Sequence, residues 1–303
     1  MIRLTRYLLT LTLICLASTA FSEPRWQGPP LWQGQGRIAM SSDGNDHDHD
    51  DWGATALSLA ILAAQGLQQD LVLYTYSDHV WSNRKESDVR YGRNFYEHME
   101  ESAVGAKERF GFDNATFIAA VDDPEAAYNA MAEAVNASSE DDPLFIIAAG
   151  PMQVVGEGIA RADRSKLAYV TMISHSGWNN NHADRPDKWE SHSGWTWKEI
   201  GEATEGTGLK LIKIHDQNGA KDWEGYNAPK TSWAWLETSQ AREREIFREG
   251  NWDWLVGRIK VSAKKENYDV SDAGMVVWFL TGKQKASMKD LEALLEGKKV
   301  TAN

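Results

Sequence analysis

Five aspartates, Asp43, Asp46, Asp48, Asp50 and Asp51, fall within nine residues, in the run Ser42-Asp-Gly-Asn-Asp-His-Asp-His-Asp-Asp-Trp52. Carboxylates at that density repel one another, so some hold their protons above the usual range unless a cation, a helix N-terminus or hydrogen-bond donors offset the charge. Such a cluster can take a proton from water or hold Ca²⁺, which prefers oxygen ligands. No Glu closes an EF-hand frame here. His47 and His49 alternate with the aspartates and would point to opposite sides of an extended loop, which disfavours zinc. The plain alternative is a solvated acidic loop in which Asp50 caps the helix that follows.

Three other runs carry chemistry: Ser77-Asp78-His79-Val-Trp81, His175-Ser-Gly-Trp178-Asn179-Asn180-Asn181-His182 and His215-Asp216-Gln-Asn-Gly219. Fourteen tryptophans accompany them, an excess that needs a reason. Indole rings offer a flat apolar face and an N–H at the edge, which suits stacking on sugar rings, and asparagine side chains suit sugar hydroxyls. Candidate binding residues are therefore Trp81, Trp178, Asn179, Asn180, Trp195, Trp223 and Trp233. Trp195 and Trp197 alternate, as do Trp233 and Trp235, so in an extended segment only one of each pair faces a cleft. For any single indole, packing is the competing explanation. A small ligand needs few such platforms, so the surplus argues for a polymer.

Short apolar or β-branched runs at 37–41, 71–77, 116–121, 144–149, 167–173 and 209–214 alternate with segments of helical period at 52–65, 90–110, 124–137, 152–162 and 197–205. That alternation predicts an α/β fold, and the runs lack a polar face, as in a parallel sheet covered by helices on both sides. We expect a doubly wound, three-layer architecture, with further helices at 239–248, 273–280 and 288–295. Ligands of open α/β sheets sit beyond the carboxyl ends of the strands. Every chemistry-bearing run above directly follows a predicted strand.

Residues 1–22 have the layout of a secretory signal peptide: Arg3 and Arg6, an apolar run over 7–17, then Ala20-Phe21-Ser22. The single cysteine, Cys15, lies inside it. We expect a secreted or periplasmic mature chain, 23–303, forming one catalytic domain. No apolar run is long enough to span a bilayer, so no membrane insertion is expected. The formal charge of −12 argues against nucleic acid or sulfated polymers as partners and favours a neutral one.

The stretch from Arg37 through the aspartates to Ala54 resembles the first strand and aspartate cluster of the nucleoside-hydrolase-like superfamily and its secreted polysaccharide-active relatives. Gly150-Pro151 is similar to that family's turn after the fourth strand. Ser271-Asp272-Ala273 is similar to the start of its late helix, where a further carboxylate meets the metal. The resemblance implies that Asp50 and Asp51 are a metal-ligating and water-orienting pair, with Asp272 the distal ligand and Asp43 and Asp46 competing for the remaining places. Ca²⁺ is the implied ion, with no organic cofactor. The tryptophans and acidic mature chain look most like the β-agarases grouped as glycoside hydrolase family 118. The expectation is a glycosidase that cleaves a carbohydrate polymer, agarose first, with inversion. Asp43 or Asp50 would activate water. Asp216, Asp78 or Glu224, or an imidazole of His175 or His215, would protonate the leaving oxygen. The alternatives are a periplasmic nucleoside hydrolase and a noncatalytic polysaccharide-binding protein.

Overall fold

The computed structural model describes residues 28–45, 49–81, 94–182 and 194–301. The expected signal peptide, Asp46, His47 and Asp48 lie outside them.

Six strands form one parallel sheet: β1 (Arg37–Ser42), β2 (Leu71–Tyr76), β3 (Thr116–Ala119), β4 (Leu144–Ala149), β5 (Val170–Ser174) and β6 (Lys210–Lys213). Their order is β3-β2-β1-β4-β5-β6. The chain winds outward from β1 in one direction, then returns to place β4 on its other side. The central strands are buried on both faces, which explains their unbroken apolar runs. Edge strand β6 exposes Lys210 and Lys213, charges that discourage further strand pairing.

Helices cover both faces, so the α/β, doubly wound expectation holds. On one side lie α1 (Asp50–Ala64), α2 (Phe95–Phe110), α7 (Asn251–Val261), α8 (Ala273–Thr281) and α9 (Met288–Leu295), sharing a core that includes Trp52, Leu57, Met99, Leu255, Val277 and Leu291. On the other lie α3 (Pro124–Asn136), α4 (Gln153–Arg161) and α6 (Trp197–Ala203), packed through Met131, Val155 and Ile200. The short α5 (Gly177–Asn181) follows β5. All of α1 is buried, wedged between the sheet and α2, α7 and α8. That enclosure is why its sequence is apolar all round rather than on one stripe.

Several boundaries differ from the sequence reading. The fifth strand begins at Val170, because Asp163 accepts the Ser165 N–H at 2.9 Å and starts a 3₁₀ turn over Arg164–Tyr169. The helix expected at 239–248 is instead two 3₁₀ turns, Gln240–Glu243 and Glu245–Phe247. α7 and a small antiparallel sheet of β7 (Asn227–Pro229), β8 (Ala263–Lys264) and β9 (Asn267–Asp269) were not anticipated. Among the described residues, no helix is long and apolar enough to cross a membrane.

Candidate active site at the carboxyl end of the sheet

The winding direction reverses between β1 and β4, the place in an open α/β sheet beyond whose carboxyl ends ligands bind. Asp43 is the first residue beyond β1. Its N–H donates to the Ala149 carbonyl at the end of β4 (3.2 Å), and its carbonyl accepts from Ser77 beyond β2 (3.1 Å). Gly150 lies against it: a β-carbon there would sit 3.0 Å from the Asp43 nitrogen and 3.1 Å from Oδ1. The Gly-Pro turn is thus a space requirement of Asp43.

Asp50 and Asp51 open α1 in its acidic first turn, where the helix dipole favours negative charge. Asp272 stands at the N-cap of α8, so a second helix start addresses the same region. Asp43, Asp50, Asp51 and Asp272 are all buried. Burial, and then the charges of Asp43, Asp272 and Asp50, push the Asp51 carboxyl well above the usual carboxylate range. Its Oδ1 accepts from Ser42 Oγ at 2.6 Å, and a polar chain runs on through Thr55 to the Tyr74 hydroxyl, which donates to Thr55 Oγ1 at 2.8 Å. The loop before α1 is pinned by the Trp52 indole, whose N–H donates to the Gly44 carbonyl at 2.8 Å. Asp269, also buried, joins the acidic region; burial and the charge of Asp50 push it up to about 7.

His175, beyond β5, is buried with Nε2 2.6 Å from Asp272 Oδ1 and Nδ1 3.6 Å from Asp216 Oδ1. Burial works against its charged form, but the Asp272 and Asp216 carboxylates outweigh it and raise the imidazole to about 9. The Gln217 N–H, 3.2 Å from Nδ1, pulls the other way, favouring the neutral ring that donates from Nε2 to Asp272. Asp216 is half-exposed and held well below the usual range by His175 and by the backbone and side chain of Asn218. Asn179 donates to Asp272 Oδ1 at 3.2 Å.

The structure thus brings Asp43, Asp50, Asp51, Asp272, His175, Asp216 and Asn179 into one region, although they come from both ends of the chain. Asn180 is buried beside Asn179. Asp78 is fully buried; its Oδ2 accepts from Ser41 and from Thr75 (2.8 Å), and burial pushes the carboxyl up to about 7. Enclosed this way, it braces strand ends and does not face a substrate. Glu224 is exposed and accepts from Ser232 Oγ at 2.6 Å. His215 is half-buried, 5.6 Å from the Trp223 ring.

The tryptophans divide. Trp81 and Trp178 are half-buried, flanking His182 at ring distances of 6.0 and 3.9 Å. Trp223 is half-buried but packs on the core and donates to the Ala286 carbonyl at 3.0 Å. Two expectations are corrected. Trp233 is 2% exposed and packs within the core, so it offers no face to a ligand. Trp195 lies against Gly156 of α4 and donates to Glu157 at 3.1 Å, which makes it a packing residue.

Among the described residues, no group of three or more Asp, Glu, His or Cys side chains is arranged to hold a metal ion. The carboxylate donors suit a hard cation in kind. Asp46, one of the expected ligands, lies outside the described residues.

Sequence reasoning missed the pairing of His79 with His182 and the support given by Asn45, Ser42, Thr55 and Tyr74. His79 and His182 each follow a strand, a signal visible in sequence, but nothing there joins strands three places apart in the sheet.

No protein-family model matches the chain. It is similar to uncharacterized protein P22 of Formosa agariphila, at 31% identity over 296 residues, spanning 94% of this chain and 97% of that one.

Proposed function

The chain belongs to the family of uncharacterized protein P22 of Formosa agariphila, and we propose that it is a secreted glycoside hydrolase acting on a neutral polysaccharide, agarose first, with inversion at the reacting carbon. The observation that carries this reading is the buried carboxylate cluster of Asp43, Asp50, Asp51 and Asp272 at the point where the sheet changes direction. Buried carboxylates there, starting two helices, are suited to activating water against a sugar carbon that gains positive charge.

In this mechanism Asp43 or Asp50 accepts a proton from water, while Asp51 orients that water. The leaving oxygen needs a proton from elsewhere. Asp216 stays ionised, Asp78 is enclosed and Glu224 is engaged at the surface, which leaves an imidazole, His175 or His215, as the acid; His175 is the one that lies among the carboxylates. Trp81 and Trp178 supply faces for sugar rings, and the asparagines of α5 supply partners for hydroxyls. Two carboxyls in the usual acid and base roles are thus replaced by a carboxyl and an imidazole. A noncatalytic polysaccharide-binding protein is the second reading, favoured by the deep burial of His175.

Release of reducing ends from a panel of neutral and sulfated polysaccharides tests the reading. We expect activity on a neutral polymer and a loss of about 100-fold or more in Asp50→Asn, with the melting temperature kept or raised. No reducing ends from any polymer, with binding retained, would establish the noncatalytic reading. Free base released from nucleosides, followed by ultraviolet difference, would replace polysaccharide by nucleoside as substrate.

A further inference from the structure

We propose that His79 and His182 form a binding site for a divalent late transition metal, Cu²⁺ ahead of Ni²⁺ and Zn²⁺, beyond the carboxyl ends of β1 and β4. This inference stands apart from the hydrolase reading. β2 and β5 are separated in the sheet by β1 and β4, a span of roughly 14 Å at the usual strand spacing. Yet His79, three residues beyond β2, and His182, at the end of α5, bring their Nε2 atoms to 3.0 Å. The two loops therefore meet above the ends of β1 and β4.

The surroundings hold both rings in place. Each imidazole is buried. The backbones leading to them pass through left-handed conformations that non-glycine residues avoid, at Ser77 (φ 55°) and Ser176 (φ 63°). Asn45 clamps the His79 backbone from both sides, accepting its N–H at 3.2 Å and donating to its carbonyl at 3.3 Å. Trp81 stacks near His182 and meets His79 edge-on at 4.8 Å, and Trp178 covers His182 at 3.9 Å.

The separation has a coordination meaning. With metal–imidazole bonds of roughly 2.05 Å, Nε2 atoms 3.0 Å apart subtend about 94° at a shared ion, the angle of neighbouring ligands in tetragonal or octahedral geometry. A tetrahedral ion would need the pair to open to about 3.3 Å. Imidazole nitrogens select Cu²⁺, Ni²⁺ and Zn²⁺ over Ca²⁺ and Mg²⁺, and affinity peaks at Cu²⁺. In the hydrogen bond between the rings one Nε2 is the donor and carries a proton. On binding, that proton moves to Nδ1 of the same ring, both Nε2 lone pairs face the ion, and water fills the remaining positions.

The test is titration of Cu²⁺ into the chelator-stripped full chain, followed by calorimetry and tryptophan fluorescence, with Cu²⁺ expected to quench Trp81 and Trp178. We expect one equivalent to bind in the micromolar range and at least about tenfold weaker binding in both His79→Gln and His182→Gln, with Asp50→Asn unchanged. Electron paramagnetic resonance of the Cu²⁺-loaded wild type should show coupling to two imidazole nitrogens, which keeps the test decisive if a histidine variant fails to fold. Binding that both histidine variants retain, binding that Asp50→Asn removes, a spectrum without nitrogen coupling, or no binding below about 0.1 mM would each overturn the proposal.

Discussion

Asp78 holds one carboxylate oxygen between the hydroxyls of Ser41 and Thr75, while among the described residues Oδ1 is buried without a hydrogen-bond partner. Burial raises its carboxyl from 3.8 to about 7. Between those values the native chain keeps a proton that the unfolded chain has lost, so stability falls as pH rises from about 4 to about 7 and then levels off. At 1.36 kcal/mol for each pH unit, the whole fall is roughly 4 kcal/mol, and about 2–3 kcal/mol of it lies between pH 5 and 8. Asp78→Asn cannot ionise and should lose that part of the slope, gaining on the wild type by this amount at pH 8 relative to pH 5. Asp269, raised to about 7 as well, leaves a remaining slope in both proteins. Urea unfolding at the two pH values measures the difference. Identical pH dependence in wild type and variant would mean that Asp78 does not titrate in this range.

At the scale of elements, the approach of Trp195 to α4 is set by Gly156. A β-carbon at Gly156 would lie 2.2 Å from Trp195 Cγ and 2.4 Å from its Cβ. Alanine favours the helix by about 1 kcal/mol over glycine, but forcing the indole outward costs about 1–3 kcal/mol, so Gly156→Ala should destabilise, by up to about 2 kcal/mol. An unchanged or raised urea midpoint would show that Trp195 can move aside without loss. This contact also marks where the sequence stopped being readable. The six strands were legible because central parallel strands are apolar on both faces, and the acidic loop because it follows the first of them. Trp195 and Trp233 were not legible as packing residues, since an indole's spacing does not say whether a glycine or a core waits on its other side. The second half of the chain was harder still: β7 to β9 are two or three residues long, too short to show a period. His175 could be nominated from its place after β5, but its partner Asp272 is 97 residues away and only the fold joins them.

At the scale of the whole molecule, the substrate's length should separate two kinds of tryptophan. Trp178→Ala should stay folded and act less on long chains than on short oligosaccharides, by several-fold for a stacked ring worth about 1 kcal/mol. Trp223→Ala should lower the melting temperature and affect all lengths alike, because its ring packs on the core and its N–H is bound to Ala286. Equal loss on all lengths in both variants would remove the stacking role. The carboxylates raise a second question of molecular scale, since Asp50 and Asp51 stand more than two hundred residues from Asp272. Were Ca²⁺ to draw all three together it would tie the start of α1 to the start of α8, and a chelator would then lower the melting temperature and added Ca²⁺ restore it. No change in either direction would leave protons and hydrogen bonds as the only means by which the cluster is held.

The burial of α1 on every side sets how the site ages under stress. A helix enclosed along all fifteen of its residues can exchange its backbone hydrogens with solvent only when the layers around it separate, which is the opening of the whole fold. Asp50 and Asp51 are the first two residues of that helix. Their placement therefore does not fray ahead of the rest, and on heating the loss of the aspartate geometry and the loss of the native state fall at the same temperature.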